Sequence, residues 1–150
     1  PPFSSRRRHT RYQSLSRGLG DVYKRQQLKL FGRVLARLQT AVDGRVTWSV
    51  VTLEDFAEAG AAQEQAEGLI DLLAQSASAD VAILFKDLGD GVRVSIRTRD
   101  DGVDATRLAG AFGGGGHARA AGASHEGPFE VTRDAVLGLA RQLLDELPAA

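Results

Sequence analysis

Residues 80–99, DVAILFKDLGDGVRVSIRTR, decide the fold. The continuous apolar run VAILF at 81–85, bounded by Asp80 and Lys86, reads as a strand. Leu88, Gly89, Asp90 and Gly91 turn the chain, after which Val92, Val94, Ile96 and Thr98 alternate with Arg93, Ser95, Arg97 and Arg99. A period of two puts the four polar residues on one face of a second strand. The stretch is therefore a β-hairpin with a basic side.

The pattern upstream alternates strand and helix. Leu28, Phe31, Leu35, Leu38 and Val42 recur every three or four residues, which predicts a helix over residues 27–42 that ends before Asp43-Gly44. Residues 45–51 are rich in β-branched types and hold Trp48, which predicts a strand with the indole in the core. Thr52, with Asp55 three residues on, is placed to cap a short helix, and Ala62, Ala66, Leu69, Ile70 and Leu73 trace a second, alanine-rich one. Its acids Glu58, Glu64, Glu67 and Asp71 form a solvated face.

Downstream, Asp104 caps a helix whose buried stripe is Ala105, Leu108, Ala109 and Phe112, with Val103 and Leu108 placed as a hydrophobic staple. That helix stops at the four glycines 113–116. Thr132 is expected to cap a last helix with Val136, Ala140, Leu143, Leu144 and Leu147 buried, ending at Pro148, and His125 is expected to be exposed in a polar turn. Together these elements predict an α/β fold, a mixed central sheet flanked by helices in a single small domain.

Composition narrows the chemistry. With 150 residues, 43% hydrophobic and 25% charged, the chain has the profile of one globular domain. No apolar run is long enough to span a bilayer. The absence of cysteine removes disulfides, thiol nucleophiles and cysteine-based zinc sites, and three scattered histidines give no dedicated metal cage.

The net charge of zero is unevenly spread. Residues 1–26, PPFSSRRRHTRYQSLSRGLGDVYKRQ, carry seven Lys and Arg against Asp21, while residues 27–150 hold twelve bases and eighteen acids. A polyanionic partner must then be met locally. The first 26 residues lack helical or strand periodicity and are expected to be disordered. A nucleic-acid arm, a localisation signal and a transit peptide compete for this segment, and the lack of an apolar core after the arginines excludes a secretory signal. The segment also resembles translated sequencing-adapter sequence, which implies a native chain that begins mid-protein near Gln27. Residues 27–150 are then the functional domain.

The run at 113–116 is the strongest chemical signal. Four glycines are expected where backbone amides turn outward or a ligand approaches the main chain closely, and no packing purpose is expected of them. His117 and the small-residue stretch Ala118-Arg119-Ala120-Ala121-Gly122-Ala123 follow at once. A flexible linker is the bland alternative; an anion-binding loop fits the embedded position better. It is neither a Walker motif nor a dinucleotide fingerprint.

SIRTR at 95–99 with VDATRLAGAFGGGGHARAAGA at 103–123 resembles the DHH-associated domain of the DHH phosphoesterases, nearest the bacterial oligoribonuclease and 3'-phosphoadenosine-5'-phosphate phosphatase branch. The likeness covers about residues 28–147; Thr98 and Ala105-Thr106 depart from the family pattern, where Ser and Val-Ser are common. The resemblance implies that Gly114, Gly115, Gly116 and His117 contact the phosphate or terminal nucleotide of the substrate, with Ser95 and Arg97 lining the same groove. It implies short oligonucleotides or nucleotides as partners, a cytoplasmic setting, and a catalytic DHH domain that holds manganese and is absent from this sequence. No catalytic or metal-ligating residue and no cofactor is then expected in this chain, which alone would be inactive, and an oligomer is compatible with the pattern. A cyclic-dinucleotide phosphodiesterase or single-strand exonuclease of the same superfamily, and a non-catalytic interaction module, are the alternatives.

Overall fold

The computed structural model describes residues 3–76 and 78–148, with side chains described for 18–75 and 78–148. Six strands form one sheet in the order β1-β2-β3-β4-β6-β5. They are β1 (Gln39–Ala41), β2 (Val46–Thr52), β3 (Val81–Asp87), β4 (Val92–Thr98), β5 (Gly115–His117) and β6 (Ala120–His125). Only β2 and β3 run parallel, joined through a helical crossover; all other neighbours are antiparallel. Helices α1 (Phe3–Ala36), α2 (Leu53–Ala59), α3 (Leu69–Ser76), α4 (Ala105–Gly110) and α5 (Phe129–Asp145) flank the sheet. The mixed, helix-flanked α/β sheet and its central hairpin are as expected.

The pleat sorts the strand residues into two cores. Val46, Val81, Ile83, Phe85, Val92, Val94, Ile96 and Ala121 face α4 and α5, where Leu108, Val136, Ala140 and Leu144 meet them. Trp48 lies partly buried on this core, with its ring 5.8 Å from Phe85 in an edge-to-face arrangement. Val51, Ala82 and Leu84 point the other way, onto Leu30 and Val34 of α1, Phe56 of α2, and Leu69 and Leu73 of α3. On that second side the apolar cover spans β2 and β3 and stops short of β4, β6 and β5.

Several local expectations are corrected. The helix predicted to reach Val42 ends at Ala36, and Gln39, Thr40 and Ala41 instead pair with Trp48, Thr47 and Val46. The chain reverses through Val42, Asp43 and Gly44, all at positive φ. The buried stripe of α1 is Leu30 and Val34 with Phe31 and Leu35 beside them, whereas Leu28 is 65% exposed. Toward its start α1 continues back to Phe3 through the segment expected to be irregular; Leu19, Val22 and Tyr23 on it are exposed. Residues 1 and 2 lie outside the described residues.

The alanine-rich helix is split into a 3-10 turn (Gln63–Ala66) and α3, because Gly68 at φ +84 interrupts it. Thr132 caps nothing: α5 begins at Phe129 after Pro128. The Thr132 hydroxyl, fully buried, lies 2.8 Å from His125 Nδ1, and Phe112 meets the same imidazole edge-on. His125 is thus half-buried structure rather than an exposed turn residue.

The hinge between α1 and the sheet is ionic. Asp55 is fully buried, accepts from Thr52 N at 2.8 Å, and completes the capping box of α2 with Thr52. The Arg37 guanidinium grips both Asp55 oxygens at 2.6 Å, and Arg33 Nε donates to Oδ1 at 2.9 Å. Burial by itself raises the Asp55 pKa, but the hydrogen bonds from Arg37, Thr52 and Arg33 outweigh it and hold the carboxyl at about 2.

Candidate nucleotide-binding face

The register across β4, β6 and β5 builds the site. Ser95 pairs with Gly122, which pairs with Gly115; Arg97 pairs with Ala120, which pairs with His117. Directly paired residues point to the same side of a sheet. Ile96, between Ser95 and Arg97 on β4, and Val94, just before them, belong to the core on the opposite side. All side chains of these two rows therefore project from the second face outside its apolar core, with α3 alongside β4 at one edge. Gly122 and Ala120 make its floor flat.

Arg97 forms one wall. Its Nε donates to Asp71 Oδ1 on α3 at 2.8 Å, and its Nη1 donates to the Ile96 carbonyl at 3.0 Å. Asp71 was expected only to be solvated; it is exposed, but it also fixes the reach of Arg97. His117 stands exposed at the end of the edge strand β5.

The four glycines have separate reasons, and the expectation of no packing purpose is overturned. Gly113 ends the α4 region at φ +77. A Cβ at Gly114 would fall on the Gly122 carbonyl and 2.7 Å from Ala123 Cα. One at Gly116, where φ is +144, would lie 2.6 Å from the Ala120 carbonyl oxygen. Both allow the close pairing of β5 on β6, so residues 115–117 are a strand and not a free loop. Gly113 and Gly115 both have open space where a Cβ would be, but of the two only Gly115 has no positive φ to call for glycine. It shares a row with Ser95, so its bareness serves the open face and not the packing.

Sequence reasoning gave no site role to two cations beside this face, Lys86 and Arg93. Lys86 and Arg93 pair across β3 and β4, one row beyond Ser95. The Lys86 pKa is lowered by burial first and by the neighbouring Arg93 charge second. Arg119, in the turn between β5 and β6, keeps its Nη1 buried without a hydrogen-bond partner. The basic period of β4 signalled Arg93, and Arg119 is the one charge within ARAAG. Nearby, Asp104 caps α4 by accepting from the Thr106 hydroxyl and amide at 2.6 and 2.9 Å, which lowers its pKa.

A cleft of about 460 Å³ opens at the β3–β4 turn, lined by Gln63, Leu88, Asp90, Gly91, Val92, Arg93, Ser124, His125 and Glu126. It does not include the six residues expected from the sequence; it adjoins them through the row Arg93–Ser124. Among the described residues no three His, Asp or Glu side chains gather where they could hold a metal ion. No helix among the described residues is long and apolar enough to cross a membrane.

This is an α/β domain with small, basic and glycine residues on one side of the sheet, outside the second apolar core. Residues 43–146 match the model of the DHHA1 domain, and the chain belongs to that family, the accessory domain of DHH phosphoesterases. Over 99 residues it is 31% identical to the bifunctional oligoribonuclease and PAP phosphatase NrnA of Thermus thermophilus, covering 66% of this chain. The chain spans 29% of the length of that curated relative. An exopolyphosphatase-related protein from Bacteroides fragilis shares the fold with a TM-score of 0.70 at 22% identity, over 81% of this chain and 36% of that one. The pGpG-specific phosphodiesterase PggH of Vibrio cholerae aligns at 0.56 and 13% identity over 85% and 42% of the two chains. The C-Ala domain of Aquifex aeolicus alanyl-tRNA synthetase aligns at 0.51 and 21% over 72% and 97%.

Proposed function

We propose that this chain is the substrate-recognition domain of a cytoplasmic phosphoesterase of the NrnA type, and that its open face binds the phosphate end of short oligonucleotides or nucleotides. The observation that carries this reading is the register that puts Ser95, Gly115, Arg97 and His117 on one side of the sheet, outside the second apolar core. The Arg97 guanidinium offers a permanent charge and a planar fork for phosphate oxygens, His117 adds a ring N–H, and the Ser95 hydroxyl adds a neutral donor. Gly115 and Gly122 let sugar or base rest on the backbone. Asp71 presets Arg97, which reduces the side-chain entropy lost on binding. Hydrolysis belongs to a DHH catalytic domain that would hold manganese; this chain supplies binding and orientation.

Calorimetric titration with adenosine 3',5'-bisphosphate tests the reading. A charge-assisted hydrogen bond contributes about 1.5–3 kcal/mol, so Arg97→Ala is expected to weaken binding roughly tenfold or more, with a shallower salt dependence. Absence of binding by the unaltered chain, or affinity unchanged from the parent in both Arg97→Ala and His117→Ala, refutes it.

A further inference from the structure

We infer that the binding face continues past the phosphate-end row, and that Arg93, Lys86 and the adjoining cleft form a subsite for a further nucleotide of a single strand. The inference rests on the proposed reading and deepens it by naming Arg93 and Lys86 as the residues of that face that respond to strand length. Arg97, Ser95 and Arg93 occupy alternate positions of β4 on the same face. Alternate positions of a strand are about 6.7 Å apart, which one extended sugar–phosphate repeat can span. Each row offers a different kind of group: Arg97 with His117, then Ser95 with Gly122 and Gly115, then Arg93 with Ser124.

The third row is electrostatically incomplete. Arg97 is neutralised by Asp71, whereas neither Arg93 nor Lys86 makes an ion pair with a described residue. Two cations are held side by side across β3 and β4, with Lys86 partly buried. Glu67 acts on Lys86 only as the weakest influence. A phosphate between the two would relieve this repulsion. Beyond Arg93 the cleft changes character: Gln63, Asp90 and Glu126 line it. The carboxylates repel a further phosphate, and together with the amide oxygen they accept from ribose hydroxyls and the amino groups of a base. The volume of about 460 Å³ lies in the range of small-ligand sites. Phosphate on the Arg93–Lys86 pair and nucleoside in the cleft is the arrangement that satisfies both.

The test is titration of the full chain with adenosine 3',5'-bisphosphate and with 5'-phosphorylated di- and triadenylate. Affinity is expected to rise with length, and Arg93→Ala is expected to remove between about threefold and tenfold from the trinucleotide while leaving the bisphosphate unchanged. Arg93→Lys, which keeps the charge, is expected to recover part of the loss. Arg93 is exposed, so these variants should melt with the parent. Binding of all three ligands without length dependence, or an Arg93→Ala loss equal for all of them, overturns the subsite while leaving the phosphate-end reading intact. No binding of any ligand overturns both.

Discussion

Alanine substituted singly at the glycines 114, 115 and 116 separates the packing role of that run from its role at the open face. Gly114→Ala drives a methyl into the Gly122 carbonyl and Ala123, which are backbone and core-facing groups that cannot rotate away. Gly116→Ala meets the Ala120 carbonyl at 2.6 Å and also needs an L residue at φ +144. Overpacking costs about 1–3 kcal/mol and such a backbone conformation about 1–3 more, so a loss of roughly 2–6 kcal/mol is expected at Gly116 and about 1–3 at Gly114. For a domain of this size each kcal/mol moves Tm by about 2–4 °C, so Gly116→Ala should melt roughly 4–24 °C low. Gly115 has an unstrained φ and empty space at its Cβ position, so Gly115→Ala should be neutral or stabilise by up to about 1 kcal/mol. Its methyl would stand on the row of Ser95 and is expected to weaken nucleotide binding. Thermal and urea unfolding followed by circular dichroism give the stability order. Equal destabilisation at all three positions, or none at Gly114 and Gly116, would refute the steric account.

Asp55→Ala leaves Arg33 and Arg37 without their shared anion and removes the α2 cap, for an expected loss of about 3 kcal/mol in urea unfolding. The carboxyl is held at about 2 in the folded protein against the usual 3.8, so its contribution is fully present above 3.8 and is lost as pH falls toward 2. That is about 2 kcal/mol of acid sensitivity, which Asp55→Asn should abolish in a pH series of melts. Deleting residues 1–22 should change stability by no more than about 0.5 kcal/mol, because Leu19 and Val22 are exposed and, among the described side chains, α1 is tied to the domain from the Tyr23 carbonyl, which accepts from Gln65, onward. The chain incubated with manganese and adenosine 3',5'-bisphosphate should release no phosphate in a colorimetric assay; turnover would refute the assignment of hydrolysis to another domain.

The elements read correctly are those whose signal is local. Alternation along residues 92–99 fixed the strand and its basic face, Thr52-x-x-Asp55 the capping box, and Asp104 the start of α4. These patterns express backbone geometry and nearest-neighbour hydrogen bonds, which the chain carries with it. Periodicity could not distinguish residues 39–41 as a strand, because their conformation is set by pairing with β2. His125 and Thr132 looked like a turn residue and a cap until the fold placed them 2.8 Å apart. The glycine run announced a close approach without saying to what. The partner at Gly114 and Gly116 proved to be β6, Gly113 serves a positive φ, and at Gly115 open space is left without any backbone demand for glycine. Likewise, Arg97 and Asp71 are far apart in the chain, and their ion pair exists because the crossover lays α3 alongside β4. Which residues are basic, small or alternating was determined by the sequence; which of them share one side of the sheet outside the apolar core was decided by strand order and register, where contacts distant along the chain are made.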